Sequence, residues 1–155
     1  MQIDAVKELI QDIIRHELNL EKMYQQFAKS HPNHRQFWSQ LAREEAMHVK
    51  WVTSLARHYI NGHIRPSDVK LNHQAVKTSI SHLEKQTEAS KHGKLSLLNA
   101  ASIALDVEKS MIDKKFFEIF DLTDTRHERI RTGLEKATTK HRQKLEKLFS
   151  ELSKN

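Results

Sequence analysis

Apolar residues recur every three to four positions along most of the chain, the period of a helix that turns one face to a core. The first stretch carries Ile3, Val6, Ile10, Ile13, Ile14, Leu20, Tyr24 and Phe27 on that face. The second carries Phe37, Leu41, Val52, Leu55 and Tyr59, with Trp38 and Trp51 beside the stripe. A third has Leu97, Ala101, Ala104, Leu105, Met111, Ile112, Phe116 and Ile119, and a fourth has Ile130, Leu134, Ala137, Leu145, Leu148 and Leu152. Between the second and third, Ser67 to Lys91 holds Val69, Ala75, Val76, Ile80 and Leu83 and predicts a further helix. The breaks fall at Pro32, at Gly62 with Pro66, at Gly93, and at the cluster of capping and turn residues Asp121-Leu-Thr-Asp-Thr125.

Composition agrees with this pattern. Three Gly and two Pro in 155 residues are too few to turn the strands of a sandwich or barrel. Only Gly133 lies inside a periodic stretch, where it costs about 1 kcal/mol relative to Ala. The prediction is an all-α single domain over residues 1–155. Two antiparallel hairpins joined by a helical crossover between long helices 2 and 3 make the economical arrangement, a four-helix bundle. No run of 18 apolar residues predicts a membrane span, and the first residues lack a signal-peptide pattern, so a soluble cytoplasmic protein is expected.

Cysteine is absent, which removes disulfides, thiolate zinc sites, iron–sulfur ligation and cysteine nucleophiles. His, Asp and Glu remain as metal ligands, and there are 11 His. Lys and Arg number 26 against 20 Asp and Glu, a formal net charge of +6. The basic residues are dispersed, and their densest stretch, Lys136 to Lys147, alternates with apolar helix positions and reads as a solvated face. Nucleic acid therefore ranks last among partners. The chain has no Gly-rich phosphate loop, nucleophile elbow or His-Glu-x-x-His motif.

The chemistry lies in the polar residues that interrupt the stripes. Glu17 falls between Ile14 and Leu20, Glu45 and His48 between Leu41 and Val52, Glu108 between Leu105 and Met111, and Thr138 and His141 between Leu134 and Leu145. Each stands near the middle of its helix, so antiparallel packing places all of them at one depth. Ionised carboxylates gathered there repel unless a cation lies between them. Glu45-Ala-Met-His48 is Glu-x-x-His, whose i, i+3 spacing puts a carboxylate and an imidazole on one face. Bundles with one Glu from each of two helices and a Glu-x-x-His from each of the others build di-iron or di-manganese sites. Here Glu17 and Glu108 are the single carboxylates and Glu45/His48 one complete pair. In Thr138-Thr-Lys-His141 the second pair keeps its His and has Thr in place of Glu.

With Glu17 and Tyr24 seven residues on, Leu41-Ala-Arg-Glu-Glu-Ala-Met-His48 and Leu134-Glu-Lys-Ala-Thr-Thr-Lys-His141, the chain resembles a rubrerythrin-type member of the ferritin-like superfamily. The resemblance implies a bundle that holds two metal ions, usually iron, and reacts with peroxide or dioxygen in stress defence or iron handling. It implies Glu17, Glu45, His48, Glu108 and His141 as metal ligands. Three features depart from the family. There is no four-cysteine rubredoxin-like electron donor, Met111 stands where an extra Glu is found, and Thr138 replaces a carboxylate that bridges the metals. Three carboxylates leave two divalent ions one charge short of neutrality.

The expected ligand is thus iron, one or two ions, with other divalent metals as alternatives. An external electron donor is needed if the site is redox active, and a second copy of the chain is a further candidate partner. The rival reading is a degenerate bundle without metal that acts as a structural or interaction protein. Around the site, Glu135 stands one turn before Thr138 and is a carboxylate that could swing in, its direction not being given by the sequence. Glu21 is either a carboxylate supporting Glu17 or a surface charge. Tyr24 is a core residue able to hydrogen-bond a ligand carboxylate, Glu44 is expected to face solvent, His16 points off the stripe, and His31 and His34 flank Pro32 as a solvated pair.

Overall fold

The computed structural model describes residues 3–61, 65–66, 73–113, 120–121 and 125–154. Among them the chain is all-α apart from one short antiparallel bridge. The order is α1 (Ile3–Ser30), a 3₁₀ turn (Pro32–His34), α2 (Arg35–Ile60), β1 (Arg65–Pro66), α3 (His73–Lys91), α4 (Leu97–Asp113), β2 (Phe120–Asp121) and α5 (Thr125–Ser153). β1 and β2 pair antiparallel, Arg65 opposite Asp121 and Pro66 opposite Phe120. No described helix is long and apolar enough to cross a membrane.

The breaks act through identifiable backbone chemistry. α1 closes as the His31 N–H donates to the Phe27 carbonyl at 2.9 Å, and Pro32 then opens the 3₁₀ turn that leads into α2. α3 ends at Lys91, and the chain turns away at Gly93, whose φ of 67° is open to glycine at little steric cost. There the Gly93 N–H donates to Ser90 O at 3.1 Å and the Lys94 N–H to Ala89 O at 3.0 Å, which satisfies two carbonyls of the last turn. Ser96 then starts α4, its hydroxyl accepting from the Asn99 N–H at 3.0 Å.

Apolar stripes become buried faces. α1 packs along α2 on one side and α3 on another, α4 packs on α5, and α2 meets α5 along a thinner seam. α3 runs parallel to α1, because Asp12 meets His73, His16 meets Ser79 and Ser30 meets Ser90 in rising order. Leu20, Met23, Tyr24 and Phe27 of α1 are fully buried with Trp38 and Leu41 of α2. Each such side chain contributes about 1.5–3 kcal/mol of burial. Trp38, expected beside the stripe, is at its centre, its ring 5.0 Å from those of Phe27 and Phe37. The side chains of Ile3, Val6, Tyr59, Val69, Met111, Ile112, Phe116 and Ile119, and Gly62 itself, lie outside the described residues.

Gly133 lies within α5, and a Cβ built there meets only Trp51 Cζ3, at an ordinary 3.9 Å. Gly133→Ala should therefore stabilise the fold by about 1 kcal/mol, seen as a higher urea midpoint. A lower midpoint would mean that α5 requires glycine at this position.

Candidate metal centre

Four helices each turn at least one ionisable group inward at the same depth. Glu17 from α1, Glu45 and His48 from α2, Glu108 from α4 and His141 from α5 are 0%, 1%, 3%, 0% and 1% exposed. His48 Nδ1 lies 3.2 Å from Glu45 Oε2 and 4.0 Å from Glu17 Oε2. His141 Nδ1 lies 3.1 Å from Glu45 Oε1 and 3.2 Å from Glu108 Oε1. The two imidazoles stack at a centroid distance of 5.2 Å. Glu45, His48 and His141 each offer a ligand atom, and these atoms lie within 4.8 Å of one another, a group able to hold a metal ion. Glu17 and Glu108 border the same centre. Nitrogen and carboxylate oxygen donors together suit a borderline divalent transition metal such as iron, manganese or zinc.

The electrostatics follow from crowding in a dry place. Burial, reinforced by the charges of Glu45 and Glu108, pushes the Glu17 carboxyl well above the ordinary range. Burial and the Glu45 charge also push Glu108 up, against the opposing hydrogen bond of His141. Burial alone would raise Glu45, but the Glu17 carboxyl, His141 and His48 outweigh it and hold Glu45 below its usual range. Burial disfavours a charged His141, yet Glu108 and Glu45 overcome it and raise its pKa to about 10. Without metal, His141 is thus the cation that offsets the carboxylates.

These directions set a pH dependence. Glu17, Glu108 and His141 all bind protons more tightly in the folded chain, so their contributions are present at low pH and fade as pH rises. The His141 part is lost between its unfolded pKa, about 6.5, and about 10. The Tm of the metal-free protein should fall on going from pH 6.5 to pH 10. A flat or rising Tm over that window would contradict this electrostatic picture.

Surrounding groups sort the remaining expectations. The Tyr24 hydroxyl donates to Glu108 Oε1 at 2.8 Å, as its place in the stripe allowed. Tyr24→Phe should cost about 1–2 kcal/mol in chemical denaturation; an unchanged midpoint would mean the bond adds nothing. Thr138 is buried, and its hydroxyl donates to the Leu134 carbonyl at 3.0 Å, so it does not stand in for a carboxylate. Glu135 does not swing in. It pairs with Arg131 at 2.7 Å on the outer face of α5. Glu21 accepts from Gln25 at the surface rather than supporting Glu17. His16 does point off the stripe, but into α3, where its Nε2 meets Ser79 Oγ at 2.7 Å.

Glu44 corrects the sequence reading. Expected to face solvent, it is instead half-buried and crosses from α2 to α5, with Oε2 2.5 Å from His141 Nε2 and Oε1 accepting from Lys144 at 3.2 Å. A carboxylate on the outer ring nitrogen orients an imidazole whose other nitrogen faces the centre. The signal was available, since Glu44 and His141 both sit where neighbouring helices meet, but helix rotation had to be known to see it. Asp12, another buried carboxylate, was passed over; it pairs with Arg15 at 3.1 Å and His73 at 2.5 Å and ties α1 to α3.

The donor set fits a metal ion. Both oxygens of Glu17 and Oε2 of Glu108 are buried and reach no hydrogen-bond donor among the described residues; a proton on the Glu17 carboxyl, facing Glu45, offsets part of that cost, and a cation would offset more. No family model, curated protein or solved structure matches the chain.

Proposed function

We propose that this chain is a ferritin-like bundle of rubrerythrin type that binds iron through Glu17, Glu45, His48, Glu108 and His141. In this reading α1, α2, α4 and α5 form the four-helix bundle and α3 is the crossover. The supporting observation is the convergence of five buried ionisable side chains from four helices, with both Glu17 oxygens and one Glu108 oxygen reached by no hydrogen-bond donor among the described residues. Glu45 is central, since its two oxygens face the two different histidines. Bound iron supplies redox chemistry toward a small oxygen species, with electrons from an external donor because the chain has no cysteine of its own to carry them. The protein's part is to fix ligand directions, exclude water and leave coordination positions open.

A second reading, a metal-free structural or interaction bundle, draws support from His141. As an imidazolium bonded to Glu108 on one side and Glu44 on the other, it already neutralises part of the centre. Elemental analysis after anaerobic Fe(II) reconstitution separates the two. The metal reading expects about one to two ions per chain in the wild type, and the metal-free reading expects less than about 0.2.

A further inference from the structure

The seam between α2 and α5 opens into a cavity of about 380 Å³ beside the candidate centre. Glu44, His48 and Trp51 line it from α2, and Gly133, Ala137, Lys136 and Lys140 from α5, so its walls carry one carboxylate as well as the lysines. His48 belongs to both the cavity and the centre, and its ring stacks on Trp51 at 5.8 Å. Gly133 and Ala137 leave the α5 wall low, and Lys136 and Lys140, both exposed, stand on that wall. Lys144 also reaches the cavity, but its ammonium meets Glu44 at 3.2 Å.

A shortage of negative charge lies next to this cationic cleft. Glu45 precedes His48 by three residues, and Thr138 holds the corresponding place before His141. Thr138 gives its hydroxyl to the Leu134 carbonyl, and Glu44 is engaged by His141 and Lys144. Two divalent ions bring four positive charges, and Glu17, Glu45 and Glu108 supply three negative ones. The missing charge is on the α5 side, which is also the side of the lysines.

We propose that the cleft between α2 and α5 binds a small oxyanion, of the carboxylate or phosphate kind, that supplies the negative ligand Thr138 does not and so permits a second metal ion to bind. This rests on the metal-binding reading above. Lys136 and Lys140 draw the anion in, and the lack of a side chain at Gly133 with the single methyl of Ala137 leaves room for it.

The test is a metal count by equilibrium dialysis against Mn(II), with chloride as the only other anion, then with added inorganic phosphate or acetate. Wild type should hold about one ion in chloride and move toward two with phosphate or acetate; the more effective anion identifies the preferred kind. Thr138→Glu should reach about two ions without either anion, and Lys136→Glu with Lys140→Glu should keep the first ion but lose the anion response. Two ions in chloride alone, or one ion under every condition in wild type, would overturn the proposal. An unaltered anion response in the lysine variant would also overturn it, and that variant changes only exposed residues. No ion in any form would instead remove the metal-binding reading on which the proposal stands.

Discussion

Glu45→Ala is expected to lower retained metal from about one or more ions per chain to below about 0.2, and to abolish any rise in Tm on adding Fe(II) or Mn(II). Glu45 is singled out by geometry rather than by burial, which it shares with Glu17 and Glu108. One of its oxygens faces His48 at 3.2 Å and the other faces His141 at 3.1 Å, so among the described residues it is the one carboxylate in contact with both imidazoles. Its loss removes the common partner of the group and leaves Glu17 and Glu108 without a shared ligand between them. The variant should still fold, because His141 keeps Glu108 and Glu44 as carboxylate partners. Its far-ultraviolet circular dichroism should match the wild type. Metal retained in full by Glu45→Ala would mean that the ion binds elsewhere.

The second large effect runs the other way on stability. Glu17→Met should stabilise the metal-free protein by about 1–3 kcal/mol while it weakens metal binding. Both Glu17 oxygens are buried where no hydrogen-bond donor among the described residues reaches them, and burial first, then the Glu45 and Glu108 carboxylates, push its pKa well up. Replacing such a group by an apolar side chain of similar length removes a desolvation cost and is often neutral or stabilising. On the proposed reading, the centre is a place where the empty fold is less stable than it need be. Urea denaturation of both proteins after chelator treatment gives the comparison. A Glu17→Met protein less stable than wild type without metal would mean that Glu17 is held by partners of its own.

The helices were legible because their signal is local. The i, i+3, i+4 stripes and a few breakers place their ends, and Pro32 and Gly93 act at the backbone atoms where α1 and α3 stop. The five candidate ligands were legible for a related reason: a Glu or His inside an apolar stripe is conspicuous, and i, i+3 spacing fixes a shared face. Glu44 was not. It is one residue before Glu45 and so points about 100° away around the helix, toward solvent in an isolated helix but toward α5 in this packing. Trp38 was misplaced for the same reason, since the angle between α1 and α2, not the sequence of α2, decides which flank of the stripe is covered. Thr138 stands out in the sequence because it holds the place of Glu in a second Glu-x-x-His spacing, but its bond to the Leu134 carbonyl depends on a rotamer that no sequence pattern gives. The cleft beside His48 needs two helices in register before it exists at all.

The most direct test of the central claim is the position of a metal ion in the protein itself. Crystals grown with Fe(II) or Mn(II) under anaerobic conditions and measured at the metal's absorption edge should give an anomalous peak within coordination distance of Glu45, His48 and His141. A well-ordered structure with these side chains resolved, saturating metal present and no peak among them would contradict the account.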